Sequence, residues 1–261
     1  MTTKRCVLAG VVMLATFVVA GCEWVPGKPK AEERWVAPAQ ITDFKQLYSQ
    51  NCAGCHGTDG RLGSAPPLND PLYLAVANAD ALRGVTAKGV AGTAMPAFAE
   101  QSGGSLTDKQ IDALVEGMRS QWGRPNDFKD VALPPYSLQD AINSGSGPGD
   151  TQRGANVFAT YCAQCHGPNG RGGAIGGSVV NPNFLALASD QSLRTTTIVG
   201  RPDLGKPDWR ANVSGHPMSP QELSDVVAWL VAQRGNTSSL GRDPADSKLS
   251  STRVADGLKR E

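Results

Sequence analysis

The chain has 261 residues, more than one small single-core module needs and enough for two. Its 25 Lys and Arg against 24 Asp and Glu leave a formal charge of +1, which removes any electrostatic case for nucleic acid. Aromatic residues make up only 6% beside 30 glycines and 18 prolines, so two modules of this composition have thin cores unless a bulky apolar group fills them.

Residues 1–21 read as an export signal: Lys4 and Arg5, then an apolar run from Cys6 to Ala20 that is too short to span a bilayer comfortably. Val19-Ala20-Gly21-Cys22 resembles the lipobox of bacterial lipoproteins, in which the cysteine becomes the lipidated first residue of the mature chain. The resemblance implies that Cys22 is lipidated and that the protein is held on the periplasmic side of a bacterial membrane, inner or outer. Residues 22–40, rich in charge and carrying Pro26, Pro29 and Pro38, read as a tether.

The first folded region, 41–128, opens with a helix whose Phe44, Leu47 and Tyr48 share one face. It runs into Cys52-Ala-Gly-Cys55-His56-Gly57, then a glycine-rich loop, a short helix and the loop Met95-Pro96-Ala97-Phe98. A last helix starts at Thr107, with Gln110 to complete a capping box and Leu106 and Ile111 to staple it. It carries Leu114, Val115 and Met118 on one face and stops near Gly123.

Residues 129–149, with Pro134-Pro135 and Gly145-Ser-Gly-Pro, read as a linker and predict a flexible connection. Residues 150–236 then repeat the first region. The motif recurs as Cys162-Ala-Gln-Cys165-His166-Gly167 at an offset of 110. A stretch at offset 111 sets Pro71 against Pro182, Tyr73 against Phe184, Leu82-Arg83 against Leu193-Arg194 and Phe98 against Trp209. A helix start at offset 112 has Met218, Ser219, Pro220, Glu222 and Leu223 in the stapling and capping roles. Residues 237–261 have no apolar period and read as a loose tail.

Cys-x-x-Cys-His is a c-type haem attachment signal. Two cysteines at this spacing form thioethers to the ring's two vinyl groups, and the next residue, histidine, is thereby fixed under the iron. Disulfide, zinc or thioredoxin-like use is the rival reading, but no βαβ pattern accompanies either motif. Two copies in matched repeats point to two covalently bound haem c groups, on Cys52 and Cys55 and on Cys162 and Cys165, with His56 and His166 as iron ligands.

Over about residues 41–128 and 150–236 the chain resembles the class I cytochrome c family in tandem form. The resemblance implies an all-α fold of two helical haem domains and an electron carrier that meets redox protein donors and acceptors, with no small-molecule substrate. In that family a glycine and an aromatic on the first helix pack against an aromatic on the last. Gly154, Phe158 and Trp229 fit these places. The first half has Tyr48 but Phe44 for the glycine and Gly117 for the last aromatic, a swap of bulky for small on both sides that is complementary if the two meet. The histidine's free N–H usually goes to a proline carbonyl; Pro66 or Pro67 serves His56, whereas Gly176-Gly177-Ser178 stands in that place for His166.

Met95 looks like the family's distal iron ligand, a soft, neutral thioether. The second half puts Lys206 at that place. Its only methionine, Met218, carries no proton cost and is the expected ligand there, though it aligns with the stapling Leu106; Lys206 and His216 are the alternatives. An open second iron turns the expectation toward a peroxidase-like enzyme or a haem ligand sensor.

Overall fold

The computed structural model describes residues 30, 34–211 and 213–234. The expected export signal, the expected lipidation site Cys22 and residues 237–261 lie outside them. The chain divides into residues 1–41 and one body from Thr42 onward. In the first unit the described part holds a short 3₁₀ turn, Pro38–Gln40.

The second unit is all-α. Its first half holds α1 (Phe44–Asn51), α2 (Ala53–His56), α3 (Pro71–Val76), α4 (Ala79–Lys88) and α5 (Asp108–Trp122). After α6 (Leu138–Asn143) the second half repeats the order as α7 (Thr151–Tyr161), α8 (Ala163–His166), α9 (Pro182–Leu187), α10 (Asp190–Val199) and α11 (Pro220–Ala232). No helix among the described residues is long and apolar enough to cross a membrane.

Local chemistry sets the helix ends. Thr107 with Gln110 and Ser219 with Glu222 form reciprocal capping boxes at the starts of α5 and α11. The staples beside them, Leu106 with Ile111 and Met218 with Leu223, are all buried. Asp70 and Asn181 cap α3 and α9, each accepting two backbone N–H groups ahead of a proline at the first turn.

The bulky-for-small swap is complementary. A Cβ on Gly154 would stand 2.1 Å from the Asp225 carbonyl oxygen, so α7 and α11 touch backbone to backbone there, and Phe158 stacks on Trp229 with ring centroids 4.3 Å apart. In the first half the ring of Phe44 fills the space over Gly117, where a Cβ would come within 2.2 Å of it. Phe44 and Tyr48 both meet Trp122 edge-on.

The drift in repeat offset is localised. His56 reaches its carbonyl acceptor ten residues on and His166 eleven, the extra residue being taken up in the loop at Arg171-Gly172. Phe98 and Leu106 are joined by a backbone hydrogen bond, as are Trp209 and Met218, but the second loop is one residue longer. His216 lies in that longer loop.

The connection, for all its prolines and glycines, makes tertiary contacts with both halves. Phe128, Val131 and Leu133 pack against an apolar cluster in which Leu72 of the first half joins Trp209, Val199, Ile198 and Met218 of the second. Tyr73 and Tyr136 are joined by their hydroxyls. The buried Arg194 guanidinium donates to the carbonyls of Pro135 and Tyr136. The segment acts as mortar between the halves because its few apolar groups find a surface on both.

Candidate functional site

Each Cys-x-x-Cys-His motif forms the same corner. The first helix of each half, α1 or α7, ends at the first cysteine, and one further turn carries the second cysteine and the histidine. All four cysteines are unpaired, so neither motif is closed as a disulfide. Burial, with the partner cysteine's charge second, pushes the Cys52 and Cys162 thiols up to about 11. A thiol-based redox site needs the opposite shift.

The histidines are set by their outer nitrogens. His56 Nδ1 lies 2.7 Å from the Pro66 carbonyl oxygen, and His166 Nδ1 lies 2.7 Å from that of Gly177. A carbonyl only accepts, so Nδ1 carries the hydrogen and Nε2 keeps its lone pair free for a metal. A glycine carbonyl replaces the proline carbonyl in the second half without loss of the bond. His56 is buried, and burial holds its pKa below the ordinary imidazole value, which favours the neutral, ligating form. Among the described residues no group of three or more His, Cys, Asp or Glu is placed to hold a bare metal ion. The donor set of each motif, two free thiols and one oriented imidazole, fits covalent haem.

The loops that carry Met95 and Lys206 are also equivalent. The Val90 N–H donates to the Met95 carbonyl and the Arg201 N–H to the Lys206 carbonyl. Gly89 and Gly200 lie directly under the carbonyls of these two turns. Met95 is half-buried, and Lys206 occupies its place in the second half. Met218 occupies the place of Leu106, buried in the apolar cluster with Trp209 and Leu223. His216 is exposed.

Residues 39–116 match the family described as cytochrome c oxidase, cbb3-type, subunit III, and residues 151–233 match cytochrome c. The chain belongs to the dihaem class I cytochrome c family. Two covalently bound haem c groups follow, one per motif. Among similar proteins, the cytochrome bc1 complex cytochrome c subunit of Mycobacterium tuberculosis is 24% identical over 87% of this chain and 76% of its own length. The subunit of that name from Corynebacterium diphtheriae is 27% identical over 78% of this chain and 70% of its own. The cbb3-type cytochrome c oxidase subunit FixP of Azorhizobium caulinodans is 27% identical over 71% of this chain and 57% of its own.

Between the two cytochrome domains lies a cleft of about 460 Å³, lined by Arg61, Asn69 and Asp70 on one side and by Asp203, Lys206 and Asp208 on the other. Asp203 is paired with Arg201 and also accepts the Leu62 backbone N–H from the other domain. Asp70 is buried; its Oδ1 caps α3, and its Oδ2 has no hydrogen-bond partner. Burial raises the Asp70 pKa above the ordinary aspartate range, and the nearby Asp203 adds to the shift while Arg61 opposes it. The folded state therefore holds this proton more tightly than the unfolded state, and stability falls as pH rises from the ordinary aspartate range through the folded pKa. Asp70→Asn copies Asn181, keeps the cap and carries no charge. Thermal melts across acidic to neutral pH should show the variant melting higher at neutral pH, with a flatter profile; parallel profiles would contradict this account.

Proposed function

We propose that this dihaem cytochrome c carries electrons in a respiratory chain, as a shuttle or as a subunit of a membrane complex, on the periplasmic side of a bacterial membrane to which lipid on Cys22 holds it. The observation that carries the reading is that two haem corners, each with its histidine locked in the ligating tautomer, stand in one folded body. A c-type haem, when bound, supplies an iron that gains and loses one electron. The chain's part is to hold that iron still. Nδ1–H bonds to Pro66 and Gly177 fix both imidazoles, so little rearrangement accompanies a change of charge. The packed linker fixes the two sites relative to each other. In the first domain Met95 supplies the second iron ligand. The relatives are subunits of bc1 and cbb3-type complexes, and redox proteins of that class are this chain's donors and acceptors.

Denatured protein from a host with haem-attachment machinery should retain two haems per chain. Cys162→Ala with Cys165→Ala should retain one, a loss of half the haem absorbance. Haem that acid-acetone strips from the wild type would refute covalent attachment. In the same host the wild type should partition into detergent and Cys22→Ser should remain aqueous or unprocessed; equal partitioning would remove the anchor.

A further inference from the structure

The two cytochrome domains share one element order, and where the first has Met95 the second has a lysine. Three backbone observations make Lys206 the counterpart of Met95. The Val90–Met95 bond is repeated as Arg201–Lys206. The Leu106 N–H bond to the Phe98 carbonyl is repeated as Met218 to Trp209. Pro96 and Pro207 then follow in the same relation to Gly89 and Gly200.

The side chain adds a fourth observation. Lys206 Nζ lies 3.1 Å from the carbonyl oxygen of Ile175. Ile175 belongs to the loop that supports His166: a Cβ on Gly176 would lie 2.8 Å from His166 Nδ1, and Gly177 accepts its hydrogen bond. The amine carried by one wall of the second haem site thus reaches to the other wall, which holds the histidine. A ligand seated between these two loops meets an imidazole on one side and this amine on the other. Arg201 and Asp203 stiffen the lysine's loop with a two-point ion pair. Met218 is committed elsewhere, its N–H bonded to Trp209 and its side chain buried as Leu106 is.

We infer that Lys206 is the second axial ligand of the haem at Cys162 and Cys165, making that iron His/Lys where the other is His/Met. The inference rests on the haem reading above. The lysine nitrogen gives its lone pair to iron, and the ammonium proton passes to water; no electron is exchanged. A hard, strongly donating amine stabilises ferric iron relative to a thioether, so the second haem has the lower potential.

The experiment uses the full two-haem protein, with haem content, ferric spin state, the methionine-to-iron charge-transfer band, carbon monoxide binding after reduction and potentiometry all read on the same samples. The wild type should be low-spin at both haems, with one methionine band per two haems and two separated potentials. Lys206→Met should double the methionine band and draw the potentials together. Lys206→Ala should make one haem of the two high-spin and open to carbon monoxide. Met218→Leu copies Leu106, preserves the packing and should change none of these. A wild type in which one haem is already high-spin, shows two methionine bands, or loses its low-spin state in Met218→Leu or His216→Ala would overturn the assignment. A wild type with fewer than two haems would instead refute haem attachment.

Discussion

Gly154→Val should unfold the second cytochrome domain. A Cβ at this position would lie 2.1 Å from the Asp225 carbonyl oxygen, 2.7 Å from the Asp225 carbonyl carbon and 2.8 Å from Trp229 Cβ. These atoms belong to the body of α11, so no rotamer relieves the clash and the helices must separate. Separation pulls Phe158 off Trp229 and breaks the hydrogen bonds of buried Asp225 to the Asp150 N–H and to Arg153. Overpacking that side chains can absorb costs about 1–3 kcal/mol. Here the backbone must move, against a total stability of about 5–15 kcal/mol for a domain. Gly154→Ala should lose at least about 2 kcal/mol in chemical denaturation followed by circular dichroism, and valine should lose more. In the first domain the obstacle at Gly117 is a side chain, the Phe44 ring. Gly117→Ala should therefore be partly rescued by Phe44→Ala, whereas Gly154→Ala has no such partner. Wild-type stability in Gly154→Val would show that the helices do not meet as described.

This contrast was legible in the sequence, because the glycine and the aromatic exchange helices between the repeats while the spacing is kept. The capping boxes and the haem motifs were legible for the same reason: their chemistry acts over four or five residues. The joining of the halves was not. Phe128, Val131, Leu133 and Tyr136 follow neither a helical nor a strand period, and prolines and glycines surround them, so as a sequence they look unstructured. Their partners lie in other segments. Tyr73 and Phe184 align in the repeat, yet Tyr73 is bonded to Tyr136 under the linker while Phe184 is exposed. The repeat supplied two similar surfaces, and only the tertiary arrangement decides which one is covered. Equally, the site's proximal carbonyls were anticipated as alternatives, Pro66 or Pro67 and a glycine, and a one-residue insertion near Gly172 decided which carbonyl arrives.

Arg194→Ala should free the linker and loosen the two cytochrome domains from each other. The guanidinium is 1% exposed and donates to the Pro135 carbonyl at 2.9 Å, the Tyr136 carbonyl at 3.1 Å and the Ser224 hydroxyl at 3.2 Å. Burial lowers its pKa, with only the charge of Asp140 acting against the shift, so this cation is held by neutral oxygens rather than by a direct ion pair. Its repeat counterpart Arg83 is paired with Asp108 and Asp112 on α5 and holds no linker. Truncation at Arg194 leaves those buried oxygens without a donor and opens a cavity the size of the side chain, for a cost of about 3–5 kcal/mol. Lysine should rescue little, since one ammonium lacks the planar fork that spans the three acceptors. The readout is limited proteolysis. Cleavage within residues 129–149 should be slow in the wild type and faster by roughly two orders of magnitude in the variant, the ratio that about 3 kcal/mol implies when local opening limits access to the chain. Haem content should stay at two, because the attachment corners are formed within each domain. Equal cleavage rates would mean that the linker is as open in the wild type as its prolines and glycines suggest.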